Sequence, residues 1–507
     1  MSEGRTKKTA RNAAFAAANH GITVILSFVN RTVFIRLLGV DYLGINGLFA
    51  DILMMLSLAD LGLTSAMAYS YYKPIAEHDT EKVAALLQYY KKIYQYIAAS
   101  VAVLGLALVP FLDKLVRISR PIPHLRLYYL LMLANTVVSY LFVFKATLIT
   151  ADQKNYILSR YSALFSIART LTQIVVIVLF RNYIVYLVTN VLFTMGHNLF
   201  VSKKADEMYP YILKKVPDLS RDDRSSIFQN IRSLFIYKLA TVIMNGTDNT
   251  LISVLVGTVW VALYSNYTMV TSTLSTFINM LYTSSTASIG NIVAGENVER
   301  RQDAFTMIQT MSLLITTFTV ICLSLLFQDL ITVWMGDKYL LDSMALLAII
   351  LNFYLIGILH PVWSMREATG LFNQAKYIMP LCAIVNLVSS VIFGKQFGVA
   401  GILFASAFSR LTTYFWYEPV ILFRVYLKQP ARKFYLPLLQ NVIGITAVVI
   451  ICTYLFRNFE ITTWPALLLK SFAVGIIALA VTILFYRRTS GYQMLKERLL
   501  GLLPKRH

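Results

Sequence analysis

Apolar runs of about 20 residues recur along the whole chain, and each is long enough to cross a hydrocarbon core about 30 Å thick as a helix. About fourteen runs can be counted, centred near residues 25, 57, 101, 138, 170, 192, 242, 274, 318, 352, 386, 411, 446 and 475. Short polar stretches rich in Lys and Arg separate them. The pattern predicts an all-α integral membrane protein of about 14 transmembrane helices.

Composition agrees. The chain has 507 residues, of which 57% are hydrophobic and 14% charged, with a mean hydropathy of +0.63. An average soluble domain is about 25% charged. A net charge of +21 in a soluble protein would suggest nucleic acid. Here the charge lies in short loops, where the positive-inside rule accounts for it, so no nucleic acid is expected. With both termini placed in the cytoplasm, about 28 basic residues fall inside and about 9 outside. Only "DKLVRISRPIPH" breaks that pattern. The outer loops are all short, which excludes a folded outer domain.

Cys322, Cys382 and Cys452 lie inside apolar spans without metal-ligand spacing, so they read as packing residues and no metal site is expected. The basic start, "MSEGRTKKTARN", leads into a span too long for a signal-peptide core, and the first helix is expected to be retained.

An internal repeat divides the chain. "NRTVFIRLLGVDYLGINGLF", from Asn30, slides onto "DNTLISVLVGTVWVALYSNY" with Asn30 on Asp248, Thr32 on Thr250, Leu37 on Leu255 and Gly39 on Gly257. The offset pairs the first span with the seventh, and both run from inside to outside. Two parallel halves of six helices are therefore expected, an architecture that puts transporter sites between the halves. The expected boundaries are an N-lobe over 1–201, a cytoplasmic linker over 202–226, a C-lobe over 227–427, and two further helices with a tail over 428–507. The linker contains the longest hydrophilic stretch, "KKADEMYPYILKKVPDLSRDDRSS".

Ionisable residues inside spans are the candidate chemistry, because each costs at least about 2.5 to 3.5 kcal/mol to insert. The basic ones are Arg31, Lys145, Arg169, Arg232, Lys238 and Arg410; the acidic ones are Asp51, Asp60, Asp248 and Glu418. Arg31, Arg169, Lys238 and Arg410 are deepest and are expected to face a wet cavity. Lys145 and Arg232 lie within about two turns of an inner end, and snorkelling to the headgroups explains them equally well. Asp248 has two readings: a functional group, or a structural partner of Arg31 or Lys238. Glu418 either serves a site or satisfies backbone released by Pro419. The excess of basic groups suits a phosphate-bearing anion. The 31 Tyr and 30 Phe suit sugar faces as well as interfacial belts.

"FIRLLGVDYLGINGLFADILMMLSLADLGLTSAM" resembles the opening of Wzx-type polysaccharide repeat-unit flippases of the multidrug/oligosaccharidyl-lipid/polysaccharide (MOP) exporter superfamily. "NGTDNTLISVLVGTVWVALYSNYTMV", "STASIGNIVAGEN", "MREATGLFNQAKY" and "FSRLTTYFWYEPVIL" continue the resemblance, which covers roughly residues 10 to 485. It implies a two-lobed MATE-like fold of fourteen helices and no enzymatic chemistry. It also implies movement of undecaprenyl-pyrophosphate-linked oligosaccharide from the inner to the outer leaflet of the bacterial cytoplasmic membrane, for capsule, exopolysaccharide or O-antigen, beside polymerase machinery. On this reading Arg31, Arg169, Lys238 and Arg410, with Lys145 and Arg232, line the pyrophosphate and sugar cavity. Asp51, Asp60 and Asp248 are candidates for coupling to H+ or Na+, and no other cofactor is expected. The alternatives are a lipid II flippase, a multidrug exporter of the same superfamily, for which an acidic cavity is expected, and a membrane glycosyltransferase or polymerase, for which carboxylate motifs in a large outer loop are expected.

Overall fold

The computed structural model describes residues 3–57, 63–116, 122–152, 154–214, 216–221, 224–225, 227, 246–293, 298–369 and 377–502. Among these residues the regular structure is helical, with no strand. The chain forms two compact units, Met1–Ala262 and Leu263–His507.

The first unit contains α1 (Glu3–Leu38), α2 (Val40–Leu56), α3 (Leu63–Ala76), α4 (Thr80–Leu108), α5 (Leu125–Tyr140), α6 (Val143–Ala151), α7 (Asn155–Phe180) and α8 (Tyr183–Met208). Helical residues 246–255 and the start of α9 (Thr258–Val293) complete it. The second unit holds the rest of α9, then α10 (Val298–Met335), α11 (Ser343–Thr369), α12 (Ile378–Thr412), α13 (Tyr414–Ile421), α14 (Arg432–Leu455), α15 (Trp464–Tyr486) and α16 (Ser490–Leu502).

Among the described residues, nine helical stretches are long and apolar enough to cross a membrane, and a tenth is the pair α5–α6, bent by 42°. One of the nine, Ile378–Leu427, holds two of the expected spans. It breaks at Gly398, whose φ of 60° and ψ of −136° are not helical. Asn386 Nδ2 donates to Ser406 Oγ at 3.0 Å, and the rings of Phe393 and Phe408 lie 5.6 Å apart. Twenty residues of straight helix would separate Asn386 from Ser406 by about 30 Å, so the chain doubles back at Gly398. The span expected near residue 274 lies in α9. The span expected near 242, and the end of the one near 57, lie outside the described residues. Large apolar side chains such as Val103, Leu179, Leu468 and Phe472 are more than 60% exposed, which water would penalise and lipid does not. The protein is a multi-pass membrane protein.

The repeat seen in sequence recurs in conformation. Gly39 separates α1 from α2 at φ 99°, and Gly257 separates residues 246–255 from α9 at φ 143°. Both positions need a φ that side-chain-bearing residues rarely adopt. Just beyond, α2 lies tight against the start of α9: a Cβ on Gly44 would come within 2.2 Å of the Thr258 carbonyl oxygen.

The bend between α5 and α6 exposes backbone, and α8 satisfies it. Asn198 Nδ2 donates to the carbonyls of Val138 and Ser139, each at 3.3 Å. In lipid no water would take that role. The stretch expected to act as a linker lies against α4: Gln88 Nε2 donates to the Lys214 carbonyl at 3.1 Å, and Lys92 pairs with Asp218 at 3.3 Å. In the second unit, Asn441 Nδ2 of α14 reaches Thr317 Oγ1 of α10 and Tyr486 Oη of α15, each at 2.6 Å. Lys470 of α15 pairs with Asp329 of α10 at 2.6 Å. The last two spans are therefore joined to the unit by polar contacts as well as by packing.

Candidate functional site

The first unit brings two of the expected cations to one phenol. Arg31 of α1 and Arg169 of α7 both lie near enough to Tyr186 of α8 to act on it electrostatically, and the Asn30 side chain lies beside its hydroxyl. Arg169 Nη1 also donates to Asn190 Oδ1 at 3.3 Å. Among the described residues Arg169 pairs with no carboxylate. Arg169, Tyr186 and Asn190 are each half-buried, neither sealed in packing nor fully exposed.

Helical spacing builds this arrangement. Tyr186 and Asn190 are four apart on α8 and share a face with Tyr183. Asn30 and Phe34 share a face of α1 in the same way. Phe34 meets Tyr186 edge-on at 5.2 Å and Tyr183 at 5.7 Å. Tyr42 and Tyr128 close on Tyr183 at 5.3 and 4.9 Å, and the Tyr183 hydroxyl donates to Asn46 Oδ1 at 3.0 Å. The result is a basic, amide-bearing patch bordered by an aromatic cluster. Guanidinium groups, carboxamides and phenols are the groups that bind phosphate oxygens and sugar hydroxyls.

The other expected cations are placed differently. Lys145 forms a two-pronged ion pair with Asp206, at 2.8 and 2.7 Å from its carboxylate oxygens, so its charge is balanced within the unit. Arg410 is buried in the second unit, 7% exposed, and donates through Nη1 to Asn352 Oδ1. Asn352 in turn caps the Ala348 and Leu403 carbonyls at 2.8 Å. Arg410 thus belongs to a packed polar network with Tyr414. Arg232 and Lys238 lie outside the described residues.

Of the acidic candidates, Asp51 of α2 accepts a hydrogen bond from Asn249, and Asp248 is close enough to repel it. The second carboxylate oxygen of Asp51 is buried without a partner. Asp60 lies outside the described residues. Glu418 pairs with Arg366 of α11, and the two side chains are 2% and 5% exposed. The backbone beside Pro419 is therefore not its partner. Among the described residues no group of His, Cys, Asp and Glu could hold a metal ion.

Sequence reasoning passed over Tyr186, Asn190, Asn30 and Arg366. A signal was available: each is a polar group within an apolar run, and Tyr186 and Asn190 repeat at helical spacing.

The fold has solved counterparts. The lipid II flippase MurJ, in its inward closed conformation, matches with a TM-score of 0.66 over 94% of this chain and 99% of that one, at 14% identity. An inward-facing multidrug resistance MATE family transporter of the MOP superfamily matches at 0.60, over 85% and 98%, also at 14% identity. A variant of the Vibrio cholerae MATE transporter VcmN matches at 0.55, over 84% and 99%, at 14% identity. No family model and no curated protein sequence matches the chain. The chain thus has the fold of MOP-superfamily transporters. Identity this low speaks to fold and not to substrate.

Proposed function

We propose that the chain is a flippase for an undecaprenyl-pyrophosphate-linked oligosaccharide, moving its head group from the inner to the outer leaflet of the bacterial cytoplasmic membrane by alternating access. The observation that supports this most is the pair Arg31 and Arg169 around Tyr186, with no carboxylate on Arg169 among the described residues and an aromatic cluster alongside. The two guanidinium groups replace the water that the diphosphate loses on entering the membrane. Asn30, Asn190 and the phenols take sugar hydroxyls. The polyprenyl chain stays in lipid. No bond is made or broken.

With both termini cytoplasmic, outward passage of about two negative charges gains about 2.3 kcal/mol per charge per 100 mV from an inside-negative potential. Asp51 and Asp248 are the groups through which a proton or Na+ would be coupled, either cation easing the repulsion between the two carboxylates.

Liposomes carrying the purified protein and a fluorescent lipid-linked oligosaccharide test the reading. Outward flipping is expected for the wild type and for the exposed-residue control Arg300→Gln, and a loss of at least tenfold for Arg31→Gln/Arg169→Gln. Wild-type rates in that double variant would remove the phosphate cradle. Lipid II is the second reading, favoured by the match to MurJ over nearly the whole chain. Lipid II flipped in preference to sugar repeat units lacking peptide would establish it instead.

A further inference from the structure

A long apolar groove runs along the second unit, enclosed by α10, α11, α13 and α14, with a volume of about 940 Å³. Ile350, Phe415, Leu439 and Val442 are typical of its walls. Two features separate it from ordinary lipid-facing surface. Tyr354 lines it while only 7% exposed, and its hydroxyl has no partner. Arg432, at the start of α14, lines it together with Trp416 and Tyr435, whose rings lie 4.8 Å apart.

Arg432 belongs to a basic cluster. Arg424, Lys428, Arg432 and Lys433 occur within the short stretch "RVYLKQPARK", which contains no acidic residue. All are exposed, and none of them pairs with a carboxylate among the described residues. Lys433 borders a second cavity, of about 470 Å³, and Arg424 a third, of about 690 Å³, which shares Trp416 with the groove. The other end of the groove, near Leu347 and Ile450, is lined by uncharged side chains, Thr446 among them. Trp and Tyr beside Lys and Arg mark the headgroup level of a bilayer, and clustered basic residues at that level attract anionic lipids.

We propose that this groove is a binding site for an anionic phospholipid, with its phosphate held at Arg432 and Lys433 and an acyl chain in the groove against Tyr354. The positive-inside orientation puts the headgroup in the cytoplasmic leaflet. A membrane phospholipid fits better than the transported lipid because the cations lie on the exposed rim, where bulk lipid arrives by lateral diffusion. The site is separate from the Arg31–Arg169 patch and does not depend on it.

Trp416 supplies the readout. The full-length protein, reconstituted in phosphatidylcholine, is titrated with phosphatidylglycerol brominated on its acyl chain, and quenching is compared between wild type and Trp416→Phe to isolate Trp416. Quenching of Trp416 at a lipid fraction at least fivefold lower than for brominated phosphatidylcholine is expected. That preference is expected to disappear in Arg432→Gln/Lys433→Gln, while Val442→Phe, which fills the groove without adding a fluorophore that obscures Trp416, weakens quenching by both lipids. Equal quenching by the two lipids, or a preference that survives loss of both cations, would overturn the proposal. Inorganic phosphate at millimolar levels is expected not to displace the brominated lipid, since it leaves the groove empty. Displacement by phosphate alone would reduce the site to an ion patch. Displacement by equimolar polyprenyl diphosphate would reassign the groove to the transported lipid.

Discussion

Lys145 Nζ faces both carboxylate oxygens of Asp206, 2.8 and 2.7 Å away, and so joins α6 to α8 across 61 residues of chain. The side chains are only 15% and 27% exposed. Asp206→Asn leaves a half-buried ammonium without its counter-charge. Breaking a fully buried pair costs about 3 to 5 kcal/mol, and the partial exposure here reduces that to roughly 1 to 3 kcal/mol. Thermal unfolding in detergent should show a lower midpoint, and exchanging the two residues (Lys145→Asp/Asp206→Lys) should recover part of it. An unchanged midpoint in Asp206→Asn would mean that the pair carries no stability.

A neutral side chain sustains the bend between α5 and α6. Replacing Asn198 with Leu keeps the volume but removes the amide donor from both carbonyls, leaving Val138 only its 3.3 Å bond from the Leu141 N–H and Ser139 without the Asn198 donor. Each unsatisfied buried carbonyl costs about 1 to 3 kcal/mol. The expected result is a clear loss of thermal stability, whereas Asn198→Gln or His should retain more of it. Equal midpoints for Leu and Gln would show that water reaches the bend.

The charge of the Arg31–Arg169 patch can be changed without deleting a cation. Asn190→Asp places a carboxylate where Arg169 already donates at 3.3 Å. The new pair should leave the midpoint equal or higher and lower flipping at least tenfold, because the diphosphate then competes with an internal anion. Undiminished flipping would show that Arg169 does not meet the substrate.

Outside the spans, Asp152 gives a pH signature. Burial disfavours its carboxylate, but the Lys154 ammonium at 2.6 Å and the Tyr209 hydroxyl at 2.6 Å outweigh it and hold its pKa below the usual carboxylate range. A depressed folded-state pKa means stabilisation that is complete above the unfolded value, about 3.9. That stabilisation disappears as pH falls through the lower, folded value. Asp152→Asn should therefore lower the midpoint at pH 7 and narrow its difference from wild type in the acid range. A constant difference from pH 7 to pH 3 would exclude the linkage.

Gly398 holds the reversal between the two halves of α12 at a φ that disfavours any Cβ. Nothing lies within 4 Å of a Cβ built there, so the cost of Gly398→Ala is conformational and not steric, roughly 1 to 3 kcal/mol. Gly401 differs, because its Cβ would lie 2.1 Å from the Phe393 carbonyl oxygen. Gly401→Ala should be the more damaging of the two by folding yield in membranes.

Hydropathy was enough to read the helical membrane class, because a bilayer requires every spanning segment to be apolar over a known length, and that demand is local. The pairing of Gly39 with Gly257 was legible for a related reason: a helix break at positive φ is a property of one residue. Which cation stays available is not local. Lys145 and Arg169 both stand within apolar runs of the linear chain, at different depths, and neither run shows its partner. Only the packing of α6 on α8 brings Asp206 to the first, and only the packing of α7 on α8 brings Asn190 and Tyr186 to the second. The partners come from residues 61 and about 20 positions away, and their side chains meet through tertiary contacts that no local pattern encodes. Arg366 and Glu418 show the same limit. Each looks expensive alone, and the fold removes the expense by burying them together.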